Sequence, residues 1–304
     1  MANANSENSL TNWTYLLILA LIWGSSFILI KRGLVIFSPG ELGAYRIVAA
    51  ATFLLPLSLP KVKKLTSIQI QNLILVGLVG SFIPAFLFAK AQTQLSSSLT
   101  GVLNALTPLF VVLVGWIFFG SKITRQNAFG LAIAFLGVSV LVLVKDGVNI
   151  GSLQGFNAYA LFVILACTCY GFNLNLIKYR FVELKPVEIT AISLLMVLPL
   201  ALIYLMAGTQ FAYKLANVPG AWQAFGYVSL LGILGTALAL ILFNMLVKTA
   251  SPIFASSVTY LIPIVAILWG VWDGEVLLWS HYLGFAAVIF GVWVGNRKKP
   301  TIKS

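Results

Sequence analysis

Ten apolar runs of about twenty residues each, set apart by short breaks that hold most of the charge, constrain this chain more than any other feature. They lie near 13–35, 40–59, 68–92, 96–119, 125–144, 156–178, 187–207, 221–247, 252–272 and 280–296. A hydrocarbon core about 30 Å thick takes roughly 20 residues of helix, because each residue rises about 1.5 Å. The sequence is 60% hydrophobic and 9% charged, whereas a soluble domain has about 45–50% and 25%. Unpaired backbone groups cost several kcal/mol in lipid, and the period-two alternation of a barrel is absent. The expected fold class is therefore all-α integral membrane, with ten transmembrane helices.

The formal net charge of +12 reads as topology rather than as a nucleic-acid footprint, since most Lys and Arg residues sit between the apolar runs. With the N-terminus placed in the cytoplasm, thirteen basic residues fall inside and five outside, and only Arg46 lies within a span. That bias follows the positive-inside rule and predicts that both termini are cytoplasmic. The polar opening MANANSENSLTN lacks the basic start of a cleavable signal, so the first apolar segment is expected to stay in the membrane. Cys167 and Cys169 lie two apart in one run and point to opposite faces, which predicts neither a disulfide nor a metal site. No cofactor is implied.

The two halves resemble each other. Gly24, Lys31, Pro39 and Glu41 recur as Gly171, Lys178, Pro186 and Glu188, at a constant offset of 147. Farther on, Leu106 and Pro108 match Leu261 and Pro263 at an offset of 155, and Gly120, Gly130 and Gly137 match Gly274, Gly284 and Gly291 at 154. The extra residues fit the polar stretch from Gly208 to Gly220, read as a loop. This predicts two five-helix repeats, 1–149 and 150–304. Five is odd, so the second repeat would enter the membrane inverted, and inverted repeats are a signature of alternating-access transporters.

The segments WGSSF at Trp23 to Phe27, PGELGAYR from Pro39 to Arg46, LTPLFVVLVGWIFFG from Leu106 to Gly120 and YLIPIVAILWGVWDGE from Tyr260 to Glu275 resemble the EamA-type drug/metabolite transporters over essentially the whole chain. The resemblance implies a ten-helix permease or exporter of amino acids and related metabolites in a bacterial-type inner membrane, with a cavity between its halves. Two departures stand out. The family usually has Glu after the Gly that ends the fourth helix, as in Gly274-Glu275, but the first half has Gly120-Ser121. Lys90 stands where an aromatic or apolar residue is common, and would mark substrate choice.

Candidate substrate-binding residues follow from polarity inside spans and from the repeat. Arg46 sits at the family's Arg position in the second helix, where its planar guanidinium suits a carboxylate or phosphate; the alternative is snorkelling to the outer interface beside Glu41. Lys90 also has these two readings, and snorkelling suits its place near a helix end. The repeat sets Tyr170 opposite Trp23 and Asn173 opposite Ser26, four residues that would either line a cavity or pack helices. Asn175, two residues on, faces elsewhere. Asn104 and Thr107 share a face just before Pro108, which frees a carbonyl; Thr259, Tyr260 and Asn244 would add an opposite wall. Small-residue stripes at Ser97, Gly101 and Ala105, at Gly130 and Ala134, and at Gly284 and Val288 are expected to make close helix contacts. His281 is expected at the interface, and every acid falls outside the spans or at their ends, which favours facilitated or exchange transport, or coupling near Glu41 and Arg46, over a deep carboxylate carrier.

The first reading is thus a secondary transporter whose partners are a small-molecule substrate and the bilayer. An intramembrane enzyme would need a buried nucleophile and base, and a non-transporting membrane assembly subunit is the remaining alternative.

Overall fold

The structure, a computed structural model, describes residues 10–62, 65–143, 158–181, 184–249 and 258–296. Among these residues the secondary structure is helical, with no strand. The helices are α1 (Leu10–Gly33), α2 (Pro39–Val62), α3 (Ser67–Gly77), α4 (Ile83–Ala91), α5 (Ser97–Asn104), α6 (Thr107–Phe119) and α7 (Arg125–Leu143), followed by α8 (Ala160–Arg180), α9 (Pro186–Ala207), α10 (Phe211–Asn217), α11 (Ala221–Gly232), α12 (Ala239–Thr249), α13 (Val258–Trp272) and α14 (Trp279–Asn296). Two π-helical segments, Leu78–Phe82 and Ile233–Leu238, join α3 to α4 and α11 to α12. Among the described residues seven stretches are long and apolar enough to cross a membrane: Leu10–Gly33, Pro39–Val62, Ser67–Ala91, Ser97–Phe119, Ala160–Arg180, Val187–Ala207 and Ala221–Phe243. Val258–Trp272 and His281–Gly295 are shorter apolar helices. The expected repeat boundary at 149–150, the start of the expected ninth helix at 252–257, and the acids Glu7, Asp146 and Glu183 lie outside the described residues.

Local chemistry sets the helix ends. Before α2, the Ser38 amide donates to Glu41 Oε2 at 2.7 Å and the Glu41 amide to Ser38 Oγ at 3.3 Å, a capping box with Pro39 at the first helical position. α6 and α13 both stop at a left-handed glycine, Gly120 at φ 67° and Gly274 at φ 82°. After α13 the Gly274 amide reaches Val271 O at 3.0 Å and the Glu275 amide reaches Gly270 O at 2.9 Å, the two bonds of a Schellman close.

The segment Gly208 to Gly220, expected as a loop, contains helix α10 instead. Its Phe211 ring lies 4.8 Å from Phe37 and 5.1 Å from Tyr45, and Lys214 reaches Glu41. Burial of that aromatic face outweighs the polar composition of the flanks.

In lipid, helices do not gain from hiding apolar surface from one another, so close packing decides how they associate. Large apolar side chains such as Ile117, Leu136, Ile203 and Leu268 point outward, as a lipid-facing surface requires. The most extensive helix contacts are α7 with α14 and α2 with α9, then α6 with α8 and α1 with α13. The α7–α14 contact is glycine-lined: a Cβ on Gly130 would stand 2.4 Å from the Gly295 backbone, one on Gly291 2.5 Å from the Ala134 amide, and one on Gly137 2.8 Å from the Val288 amide. Gly101 abuts Ala266 of α13 in the same manner. At the end of α14, the side-chain amides of Gln126 and Asn127 donate to the Val294 and Gly295 carbonyls.

Gly130→Val is therefore expected to destabilise the bundle by about 1–3 kcal/mol through overpacking. Gly226→Ala, where a Cβ meets nothing within 4 Å, is expected to be neutral or to stabilise by up to about 1 kcal/mol. Thermal unfolding in detergent distinguishes the two, and an equal response from both variants contradicts the packing account.

Candidate functional site

The two π-segments fall within the spanning stretches Ser67–Ala91 and Ala221–Phe243. A π-turn leaves the usual hydrogen-bond ladder, so its backbone groups and any nearby cavity need side-chain partners. In the second segment, the Trp23 indole Nε1 donates to Gly235 O at 3.0 Å, and Ser26 Oγ lies 2.9 Å from where a Gly235 Cβ would be. In the first segment, Gly80 plays the corresponding part: its Cβ would sit 2.6 Å from the side-chain amide of Asn173. Two further glycine contacts have the same crossed form. Gly24 of α1 presses on Val265 of α13, and Gly171 of α8 presses on Phe110 of α6. Gly77 abuts the Ser193 carbonyl, and Gly232 abuts the Arg46 carbonyl.

Arg46 turns inward. Its Nε donates to Thr236 Oγ1 at 3.0 Å, beside Gly235. It does not sit beside Glu41. Five residues along a helix rotate a side chain by about 140°, and the buried Glu41 carboxylate is held by the Ser38 amide and by Lys214 Nζ at 2.7 Å. The two side chains therefore engage different partners, Glu41 with Lys214 and Arg46 with Thr236.

Trp23, Ser26 and Arg46 thus gather on the second π-segment and Asn173 on the first; the Phe243 ring lies tilted 5.5 Å from Trp23, and Tyr170, one turn from Asn173 on α8, stacks on Phe88 at 6.0 Å. Asn173 Oδ1 is buried and has no hydrogen-bond partner among the described residues. Asn175, by contrast, donates from Nδ2 to Val111 O and Gly171 O, both at 2.8 Å, and clips α8 to α6.

Asn104 and Thr107 flank the break between α5 and α6. Pro108 has no N–H for the Asn104 carbonyl, and Thr107 Oγ1 donates to that carbonyl at 2.8 Å instead. The Cys167 thiol of α8 approaches the Leu103 and Asn104 carbonyls at 3.7 and 3.9 Å. One turn beyond Cys167 on α8 comes Tyr170, and one turn beyond that comes Asn173.

The other sequence candidates are not drawn into this cluster by any contact described. Lys90 is exposed at the end of α4, with its ammonium 5.8 Å from the Tyr159 ring centroid. Tyr260 packs at the edge of the main core. Asn244 falls in α12, but its side chain lies outside the described residues. His281 accepts the Leu278 amide at Nδ1 and so closes the start of α14.

Polar contacts also bridge both ends of the bundle. At one end Lys31 pairs with Asp273 at 2.7 Å and with Glu275 at 3.0 Å, and Arg32 pairs with Asp273. Glu275 also accepts the Ser97 amide at 2.8 Å, the Ser98 amide at 3.1 Å and the Ser98 hydroxyl at 2.7 Å, which fastens it to the start of α5. Burial pulls its carboxyl up, but the Ser98 hydroxyl, the two amides and Lys31 outweigh this and hold it below the ordinary carboxylate range. The leg Ser97–Phe119 then runs about 34 Å, at roughly 1.5 Å per residue, to the opposite end. There Ser121 Oγ meets Tyr179 OH at 2.9 Å, and Phe119 stacks on Tyr179 at 5.3 Å. Each end also carries a side pair: Glu41–Lys214 at the first and Glu188–Lys61, at 3.0 Å, at the second.

Sequence reading missed Thr236 as the partner of Arg46, the thiol of Cys167 as a donor, the Trp269–Ser25 bond of 2.7 Å and both π-segments. One signal was available: Gly80 and Gly235 differ by 155, the offset that also relates Pro108 to Pro263. Among the described residues no group of three or more His, Cys, Asp or Glu could hold a metal.

Three comparisons bear on what this arrangement belongs to. The chain is 26% identical over 279 residues to the uncharacterized inner membrane transporter YedA of Escherichia coli K12, covering 90% of this chain and 87% of that one. It is 25% identical over 293 residues to a probable terminal-alkyne amino-acid exporter of Streptantibioticus cattleyicolor, covering 93% and 92%. A solved crystal structure shares the fold at a TM-score of 0.60 and 17% identity, over 93% of this chain and 96% of that one. The profile of the EamA-like transporter family matches residues 12–143 and again 157–297, so the chain belongs to the EamA-like transporter family.

Proposed function

We propose that the protein is an alternating-access secondary transporter of amino acids or related small metabolites in an inner membrane, with ten crossings, two inverted five-helix halves (1–149 and 150–304) and both termini in the cytoplasm. The observation that carries this reading is the crossed pairing of repeat-related residues. Ser26 against Gly235 corresponds to Asn173 against Gly80, Gly24 against Val265 to Gly171 against Phe110, and Gly232 against Arg46 to Gly77 against Ser193. In every pair the member from the start of each half shifts by 147 and the member from the later part by 155. Each half thus seats its first helices on the other's later ones, as exchange of two conformations between halves requires.

The site in this reading lies among Trp23, Ser26, Arg46, Tyr170 and Asn173, with Asn104 and Thr107 at the helix break nearby. Arg46 binds the substrate carboxylate, because a cation this deep in the bundle has one neutral hydrogen-bond partner among the described residues and its planar fork matches a carboxylate. The name of the Streptantibioticus relative supports an amino-acid substrate. The two end contacts act as gates of unequal strength: ions close the Lys31 end, and a hydroxyl pair with stacked rings closes the Tyr179 end.

Flux of labelled amino acids into proteoliposomes tests the transport claim, with Arg46→Ala as the site variant. The variant should lose about 1.5–3 kcal/mol of substrate affinity, roughly 10- to 100-fold; absence of flux for the whole amino-acid panel refutes transport, and unchanged affinity refutes the role of Arg46. For the ionic gate, Glu275 is held below the ordinary carboxylate range, so its pairing is complete above that range and is lost as pH falls through the lowered value. Glu275→Gln should therefore raise maleimide labelling of a cysteine placed at Ser96 at neutral pH, whereas labelling without that substitution, divided by labelling of the same cysteine in denatured protein at each pH to remove the thiol's own titration, should stay flat between about pH 6 and 8. Equal labelling of variant and wild type contradicts the gate.

A further inference from the structure

We propose that Asn173 accepts the ammonium group of the substrate, so that the site grips an α-amino acid by both charges, carboxylate on Arg46 and ammonium on the Asn173 amide oxygen. The proposal rests on the transport reading above and narrows it.

Asn173 Oδ1 is buried without a hydrogen-bond partner among the described residues, and a buried acceptor left unmade is costly. The side chain is pinned there, since Gly80 of the first π-segment leaves no room for even a Cβ beside the amide. Asn173 lies against the first π-segment and Arg46 bonds to the second, and α2, which carries Arg46, packs on both segments, so donor and acceptor approach the same pair of segments from α2 and α8. The four described acids are all engaged in ion pairs at the bundle ends: Glu41 with Lys214, Glu188 with Lys61, and Asp273 and Glu275 with Lys31. A neutral amide is the reader of an ammonium that suits this site, because a carboxylate beside Arg46 would pair with the guanidinium and quench it. The site is also one-sided. The repeat partner of Arg46 is Ser193, whose hydroxyl is turned to Thr190 O at 3.1 Å, and the partner of Asn173 is Ser26, bonded to Ile22 O at 3.0 Å. One cation and one open acceptor therefore define a single orientation for a zwitterion.

The test measures binding to the purified full-length protein for three pairs: leucine with 4-methylpentanoate, methionine with 4-(methylthio)butanoate, and phenylalanine with 3-phenylpropanoate. In at least one pair the amino acid should bind tenfold or more tightly than its des-amino acid. Asn173→Leu should bring that ratio to near one while the des-amino acid changes less than threefold, and Arg46→Gln should weaken both compounds. If Asn173→Leu does not fold, Asn173→Ala, which removes the acceptor without adding bulk or charge, takes its place, and a ratio that survives Asn173→Ala overturns the proposal. A wild-type ratio near one, or a ratio that survives Asn173→Leu, also overturns it; if the des-amino acids still need Arg46, the transport site stands without it. Binding of no compound overturns the proposal, and takes the amino-acid reading with it only where proteoliposome flux is also absent.

Discussion

Within hydrocarbon, a backbone carbonyl or amide that lacks a partner costs several kcal/mol, and the irregular points of this bundle are organised around that constraint. The carbonyl released by Pro108 is taken by Thr107 and approached by the Cys167 thiol. The Val111 carbonyl of α6 receives Asn175, and the Gly235 carbonyl of the second π-segment receives the Trp23 indole. In the last two cases, and for the thiol, the donor is a side chain far away in sequence. At these points each half supplies side-chain donors to carbonyls of the other, so the polar interior and the association of the halves are one arrangement.

The same arrangement explains why polar groups sit at mid-bundle without collapsing onto each other. Among the described residues the acids are confined to the ends, where they pair with Lys31, Arg32, Lys61 and Lys214. The interior keeps, among the described residues, one guanidinium, hydroxyls and amides, and in the proposed site no fixed counter-ion competes with a charged solute. The proposed gates then take opposite chemical forms at the two ends, ionic at Glu275 and neutral at Ser121, and this is the departure from the family pattern that the Gly120-Ser121 dipeptide announces.

Much of this was legible in the chain. Apolar runs located the helices because length and hydrophobicity alone decide what can span a bilayer. Pro108 announced its break, the Gly130 and Gly284 stripes their close contact, and the offset between Ser26 and Asn173 their matched roles at the π-segments. What stayed hidden depends on pairing at long range. LVGSF and ILGTAL carry no local mark of a π-turn, and Thr236 lies 190 residues from Arg46. Lys90 and Arg46 were each open to a substrate-binding and a snorkelling reading, yet one ends exposed near Tyr159 and the other turns inward to Thr236. α10 was concealed by its polar flanks, because the burial of Phe211 depends on rings contributed by α2 and by the turn before it.

The account stands on the halves being inverted, and side-specific labelling tests that most directly. Lys122 and Val276 occupy repeat-related exposed positions just past Gly120 and Gly274. In a background with Cys167→Ser and Cys169→Ser, cysteines at these two positions are probed with a membrane-impermeant maleimide in intact cells and in inverted vesicles. The account predicts that position 122 reacts only from the cytoplasmic face and position 276 only from the opposite face. Labelling of both from the same face would contradict it.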